Sequence, residues 1–137
     1  MEFKTRALTI VVRPDGIIEL LNNKNWDKPD TVEVAQENIV MLKKAVDGKF
    51  RGMLSHMPST YMSKEVLNCY KNAEIGEVAS ALLTTSFGSK IVGNLFLKLT
   101  GKSSTRETDG KAPVRIFSKK EDAEAWLLEQ ITKYSVM

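Results

Sequence analysis

From Val78 to Leu83 the chain reads V-A-S-A-L-L, without alternation of apolar and polar positions. Continuous runs of this length belong to strands covered on both faces. Thr84-Thr85-Ser86 then leads into Phe87 to Leu99, where Phe87, Ile91, Leu95, Leu99, Val92 and Phe96 sweep about half the circumference of a helix at about 100° per residue. Ser86 can cap that helix, and a core helix packs such an arc on its sheet. Leu97 falls outside the arc. Val114 to Phe117 is a short last strand, and Ser118 with Glu121 three residues later has the spacing of a capping box for a final helix striped by Ala123, Trp126, Leu127 and Ile131.

The first half is patterned in the same way. Arg6 to Val12 and Ile17 to Leu21 are rich in β-branched and aliphatic residues, and Arg13-Pro14-Asp15-Gly16 between them has the composition of a tight hairpin turn. A polar loop, Asn22 to Asp30, contains Trp26 and Pro29 and ends on Asp30 and Thr31, either of which can cap a helix. Val32, Ala35, Ile39, Leu42 and Val46 then recur at helical spacing, and Asp47-Gly48 ends the stripe. Phe50 to Met57 predicts a strand. Pro58 breaks it, and Ser63 precedes a short helix through Asn72. The predicted order is β-β-α-β-α-β-α-β-α, an α/β fold with a mostly parallel sheet and an N-terminal antiparallel hairpin.

At 137 residues the chain suits a single domain, 1–137, large enough to hold itself together without disulfides. Its one cysteine, Cys69, fits a reducing compartment and the role of a small buried hydrophobe. The apolar stretches are shorter than the roughly 18 residues that cross a bilayer, so no transmembrane segment is expected. The start, Met-Glu-Phe-Lys-Thr-Arg, lacks the character of a secretory signal, which makes a cytoplasmic location the expectation. The net charge of +3 is unevenly placed: Lys90, Lys98, Lys102, Arg106, Lys111, Arg115, Lys119 and Lys120 face only Glu107 and Asp109 between Thr84 and Lys120.

The order of elements, with A-L-L-T-T-S-F-G-S-K-I-V-G-N-L-F-L-K-L followed by R-I-F-S-K-K-E-D-A-E-A-W-L, resembles a group of small bacterial proteins of the SpoIIAA-like superfamily. That superfamily also holds the STAS domains of anti-anti-sigma factors and the CRAL-TRIO lipid-transfer domains. The resemblance implies a superhelix of βα turns with strands in chain order. It departs from the partner-switching pattern at Tyr61-Met62-Ser63-Lys64-Glu65, which lacks the Asp-Ser pair of the phosphorylated turn. Ser63 is a weak phosphoacceptor candidate, better explained as a helix cap. The Gly101 to Ala112 loop is longer than the family's usual link.

Chemistry-bearing residues are sparse. His56 is the only histidine, which excludes a two-histidine metal site; no Gly-rich phosphate loop is present, and Phe87-Gly88-Ser89-Lys90 lacks the paired glycines of one. Glu33 and Glu37 share a helix face and read as solvated. Nucleic acid is disfavoured, since the aromatics of the basic segment, Phe87, Phe96 and Phe117, fall at apolar positions. No catalytic residue, cofactor or metal is assigned, and an enzyme is not expected. Two functions fit. The first is a regulatory module acting through protein contacts or self-association, with Phe87, Lys90, Ile91, Asn94, Phe96, Leu97 and Lys98 as its surface, and Leu97 with part of the Phe96 side left exposed. The second is a carrier of a small apolar ligand or lipid, with an anionic lipid surface as a further partner. A carrier needs a pocket of at least about 300 Å³, lined by adaptable methionines such as Met41, Met53, Met57 and Met62.

Overall fold

Pro14, Asp15 and Gly16 form the tight turn their composition predicts: Arg13 N–H donates to Ile17 O at 2.9 Å, and Ile17 N–H donates to the Asp15 carboxylate at 3.1 Å. Gly16 sits at φ +93°, a conformation that side chains disfavour. The turn joins β2 (Leu8–Val12) to β3 (Ile17–Asn22), paired antiparallel with Val12 opposite Ile18. A strand absent from the sequence prediction, β1 (Glu2–Lys4), extends this ribbon outward. Arg6 and Ala7, the predicted start of the strand that is β2 here, instead form a bend. Thr5 Oγ1 accepts the amides of Ala7 and Leu8 there, and so diverts the backbone from the ladder. The computed structural model describes residues 1–100 and 112–136, the side chains of 99 and 100 excepted.

The remaining order is α1 (Val32–Val46), β4 (Gly52–His56), α2 (Lys64–Asn72), β5 (Ala79–Leu83), α3 (Phe87–Thr100), β6 (Val114–Phe117) and α4 (Lys120–Ser135). The six strands lie side by side in chain order, antiparallel from β1 to β3 and parallel from β3 to β6. The fold is therefore α/β with a mixed sheet. No helix of the described residues is long and apolar enough to cross a membrane.

Thr31 caps α1 by accepting the Val34 amide, and Asp47 in the left-handed conformation closes it. The buried stripe of α1 is Val34, Ala35, Asn38, Leu42, Ala45 and Val46, so the predicted stripe is rotated: Val32 is exposed and Ile39 only half-buried. Asn38 in the core face explains the difference, because its amide has dedicated partners described below. Ser63 caps α2 through the Val66 amide. Phe50, the predicted start of the third strand, lies outside β4 and is exposed. At α4 the Ser118 capping box is not used; the N-cap is Lys119 without a side-chain bond, and Glu121 and Asp122 in the first turn offset the helix dipole instead.

The two faces of the sheet differ. On one, Ile17, Leu54, Ala79, Ala81 and Leu83 pack beneath Ala123, Trp126 and Leu127 of α4. Gly52 lets α4 approach closely, since a Cβ there would stand 3.0 Å from Leu127 Cδ2. On the other face Ile10, Ile18, Leu20 and Met53 pack against Leu42, Ala45 and Val46 of α1. All five residues of β5 are buried, as its continuous apolar run predicts. Leu82 is buried too, yet it joins neither apolar cluster. Its side of the sheet borders a cavity.

Candidate functional site

Beyond the α1 contact the sheet face is only partly covered. Alternation along the strands turns Leu20 of β3, Met53 and Ser55 of β4, Ser80 and Leu82 of β5, and Val114 of β6 toward the same side. These form the floor of a cavity of about 140 Å³. Three strand spacings separate Leu20 from Val114, or about 14 Å at the usual inter-strand distance. The roof comes from Tyr70 of α2 and Phe96 of α3, whose rings meet at 6.5 Å and 56°, and the mouth is bordered by Trp26, Met57, Tyr61 and Met62 from loops. The walls are mostly apolar and aromatic, with a few polar groups.

Those polar groups are held in place. Thr5 Oγ1 donates to Asn38 Oδ1 at 2.6 Å, and Asn38 Nδ2 donates to the Tyr70 hydroxyl at 3.0 Å. Thr5 and Asn38 are both buried, so the chain of bonds fixes Tyr70 from behind and leaves its own O–H proton to be donated elsewhere. Burial pushes the Tyr70 phenol up to about 12, against the Asn38 hydrogen bond and with help from the negative charge of Asp30. Tyr70 therefore stays a protonated donor at ordinary pH. Asp30 accepts from Trp26 Nε1 at 2.9 Å, and burial holds its carboxyl above the usual range despite that bond. Ser80 is 7% exposed, and its hydroxyl has no partner among the described residues.

The predicted surface on α3 is divided by the structure. Phe87 and Ile91 are 81% and 53% exposed, with Lys90, Asn94 and Lys98 exposed around them. Phe87 and Ile91, which the sequence places both in the apolar arc and among the surface candidates, do not pack on the sheet. Phe96 and Leu97, expected at the surface, are half-buried, and Phe96 faces the cavity. The cause is the position of α3, which leans on α2 and on the end of β6 without lying across the sheet. In its first turn Gly88 meets the loop at Ser59, where a Cβ would stand 3.0 Å from Ser59 Cβ. Ser86 caps α3 as predicted, with Ser89 N–H donating to Ser86 Oγ at 3.1 Å and the Ser86 amide donating back to Ser89 Oγ at 3.0 Å.

Ser63 Oγ is occupied in capping α2. Cys69 is half-buried, not fully buried as predicted. Glu33 and Glu37 are not merely solvated, since Arg6 pairs with both, at 3.1 and 2.8 Å. His56 lies at the strand end with Nε2 donating to the Glu19 carboxylate at 2.6 Å. The Gly101 to Ala112 loop, with Lys102, Arg106 and Lys111, lies outside the described residues apart from Ala112.

Sequence reasoning missed Trp26, Asp30, Tyr70 and Ser80 as cavity residues. A signal existed for two of the wall's determinants: Ser80 is the one polar residue in an otherwise apolar strand, and Asn38 interrupts the apolar face of α1. Trp26 and Tyr70 carry no such mark, because a lone aromatic in a loop or a short helix has many ordinary uses. The chain matches no protein-family model, and no curated protein and no solved structure shows significant similarity to it.

Proposed function

We propose that the chain is a non-enzymatic binding module for a small, largely apolar ligand, taken between the sheet and the helices α1 to α3. The cavity carries this reading: its floor and roof are mostly apolar, its mouth is aromatic and methionine-rich, and no side chain fills it. Apolar cavities near 150 Å³ accept guests of about the size of benzene. At about 140 Å³ the cavity suits one ring-sized group and falls short of the ~300 Å³ expected of a carrier pocket. The ligand is thus smaller than a lipid chain. Parallel strands in chain order, joined by helices, are in keeping with a SpoIIAA-like domain, and a cytoplasmic role remains part of the proposal.

Trp26 at the mouth provides a direct test. In a Trp126→Phe background, ring-sized apolar compounds should change Trp26 fluorescence saturably, and native mass spectrometry of the purified protein should show a reproducible added mass. Saturable binding that survives Ser80→Trp, a change that fills the floor, would count against the cavity; absence of any binding would end the reading.

A second reading rests on Phe87 and Ile91. Their exposure beside Lys90 fits a module acting through protein contacts or self-association. Phe87→Glu combined with Ile91→Lys is expected to leave the thermal midpoint within about 2 °C, because both side chains are mainly in water. The same change should abolish any dimer seen in analytical ultracentrifugation. A double variant that keeps the dimer, or that unfolds, removes α3 as the contact face.

A further inference from the structure

We propose that the cavity's ligand carries a cationic amino group, and that Asp30, with the rings of Trp26, Tyr61 and Tyr70, is the site that receives it. This rests on the cavity reading above and adds the ligand's charge. Asp30 lines the cavity, and among the described residues the only hydrogen bond to its carboxylate comes from Trp26 Nε1 at 2.9 Å. No Lys, Arg or His of the described residues forms an ion pair with it, although most other carboxylates near the sheet have one: Glu19 has His56 and Lys120, Glu37 has Arg6, and Glu124 has Arg13. Lys28 stands over the Trp26 ring at 4.6 Å but makes no ion pair with Asp30.

A partly buried carboxylate without a cation costs the fold stability. Burial raises its pKa, so the ionised form is less favourable in the folded chain than in the unfolded one. The chain keeps this cost where a cavity opens and where three aromatic residues, Trp26, Tyr61 and Tyr70, line the same cavity. Organic ammonium groups are recognised by this combination, an anionic oxygen for the N–H or the charge and ring faces for the alkyl substituents. The Tyr70 proton and the unpartnered Ser80 hydroxyl add two uncharged hydrogen-bonding points to the same cavity, for a polar atom elsewhere on the ligand. An anionic ligand would instead meet Asp30 as a like charge in a low-dielectric wall.

The test uses three probes of similar shape: phenethylamine, protonated at pH 7, its neutral analogue 2-phenylethanol, and 3-phenylpropionate. Binding is followed by Trp26 fluorescence in the Trp126→Phe background. The wild-type site is expected to hold the amine about tenfold more tightly than the alcohol, with the carboxylate weakest. Asp30→Asn keeps an acceptor for Trp26 Nε1; it should retain the affinity for the alcohol and reduce the preference for the amine to less than about twofold. Equal binding of amine and alcohol by the wild type overturns the inference while leaving the cavity reading intact, and it does so even if the variant fails to fold. An amine preference that survives Asp30→Asn also overturns it. If no probe binds, both the inference and the cavity reading fall.

Discussion

Leu54→Ala is expected to destabilise the chain by about 3 kcal/mol, whereas Leu82→Ala, the same chemical change one strand away, should cost about half as much. Leu54 is fully buried in the centre of β4 and packs with Ile17, Ala81 and Leu127, so its removal opens a closed void on the α4 face. Leu82 is buried on the opposite face, where the cavity already stands against it. Its outer atoms have fewer partners to lose, and the space it leaves merges with space that exists. Urea unfolding measures both changes, through the midpoint at constant m. Equal costs would mean that the cavity is closed up in solution, and the ligand reading would lose its main support.

Elements with a strong period are legible in the amino-acid sequence alone. β5 is marked by its unbroken apolar run, the hairpin by Pro14-Asp15-Gly16, and α1 and α2 by Thr31 and Ser63 at their starts, because each rests on forces local to a few residues. Tertiary context decides the rest. β1 has three residues, too few for a pattern, and exists because the β2 edge offers it a ladder. The buried face of α1 is turned because Asn38 is satisfied by Thr5 and Tyr70, partners 33 and 32 residues away that no local window contains. Phe87 and Ile91 have the period of a core face and are nevertheless exposed, since period does not specify how far along a sheet a helix is set.

The candidate site illustrates the same limit. Its chemistry comes from a loop (Trp26, Asp30), a short helix (Tyr70) and the middle of a strand (Ser80), and only the tertiary fold brings them to one cavity. Two of these residues look unfavourable when considered alone: among the described residues Asp30 is ionisable and partly buried without an ion pair, and the buried Ser80 hydroxyl has no hydrogen-bond partner. Local rules are broken most often where function compensates elsewhere. Their meeting in one cavity is therefore more informative than either residue alone.

The opposite arrangement, a partly buried carboxylate surrounded by cations, occurs at Glu19 on the α4 face. Its side chain is 13% exposed and accepts from His56 Nε2 at 2.6 Å and Lys120 Nζ at 3.1 Å, with Arg13 at 3.7 Å. Burial alone would raise its pKa, but the hydrogen bonds from His56 and Lys120 together outweigh burial and hold it below the ordinary value of 4.5. A lowered folded-state pKa means that Glu19 stabilises fully above the unfolded value and loses that contribution as pH falls through the folded one. Glu19→Gln should cost about 2 kcal/mol at pH 7, because it leaves three basic groups facing one another without their acid and weakens two charge-assisted bonds. Below the folded-state pKa the wild type and the variant should converge. Asp30 acts with the opposite sign, its ionised form costing stability, so Asp30→Asn should be neutral or stabilising at pH 7. Unfolding free energies at pH 7 and pH 3 for the two variants separate these cases: a Glu19→Gln deficit that persists unchanged at pH 3 would show that packing, and not charge, holds this side of the sheet.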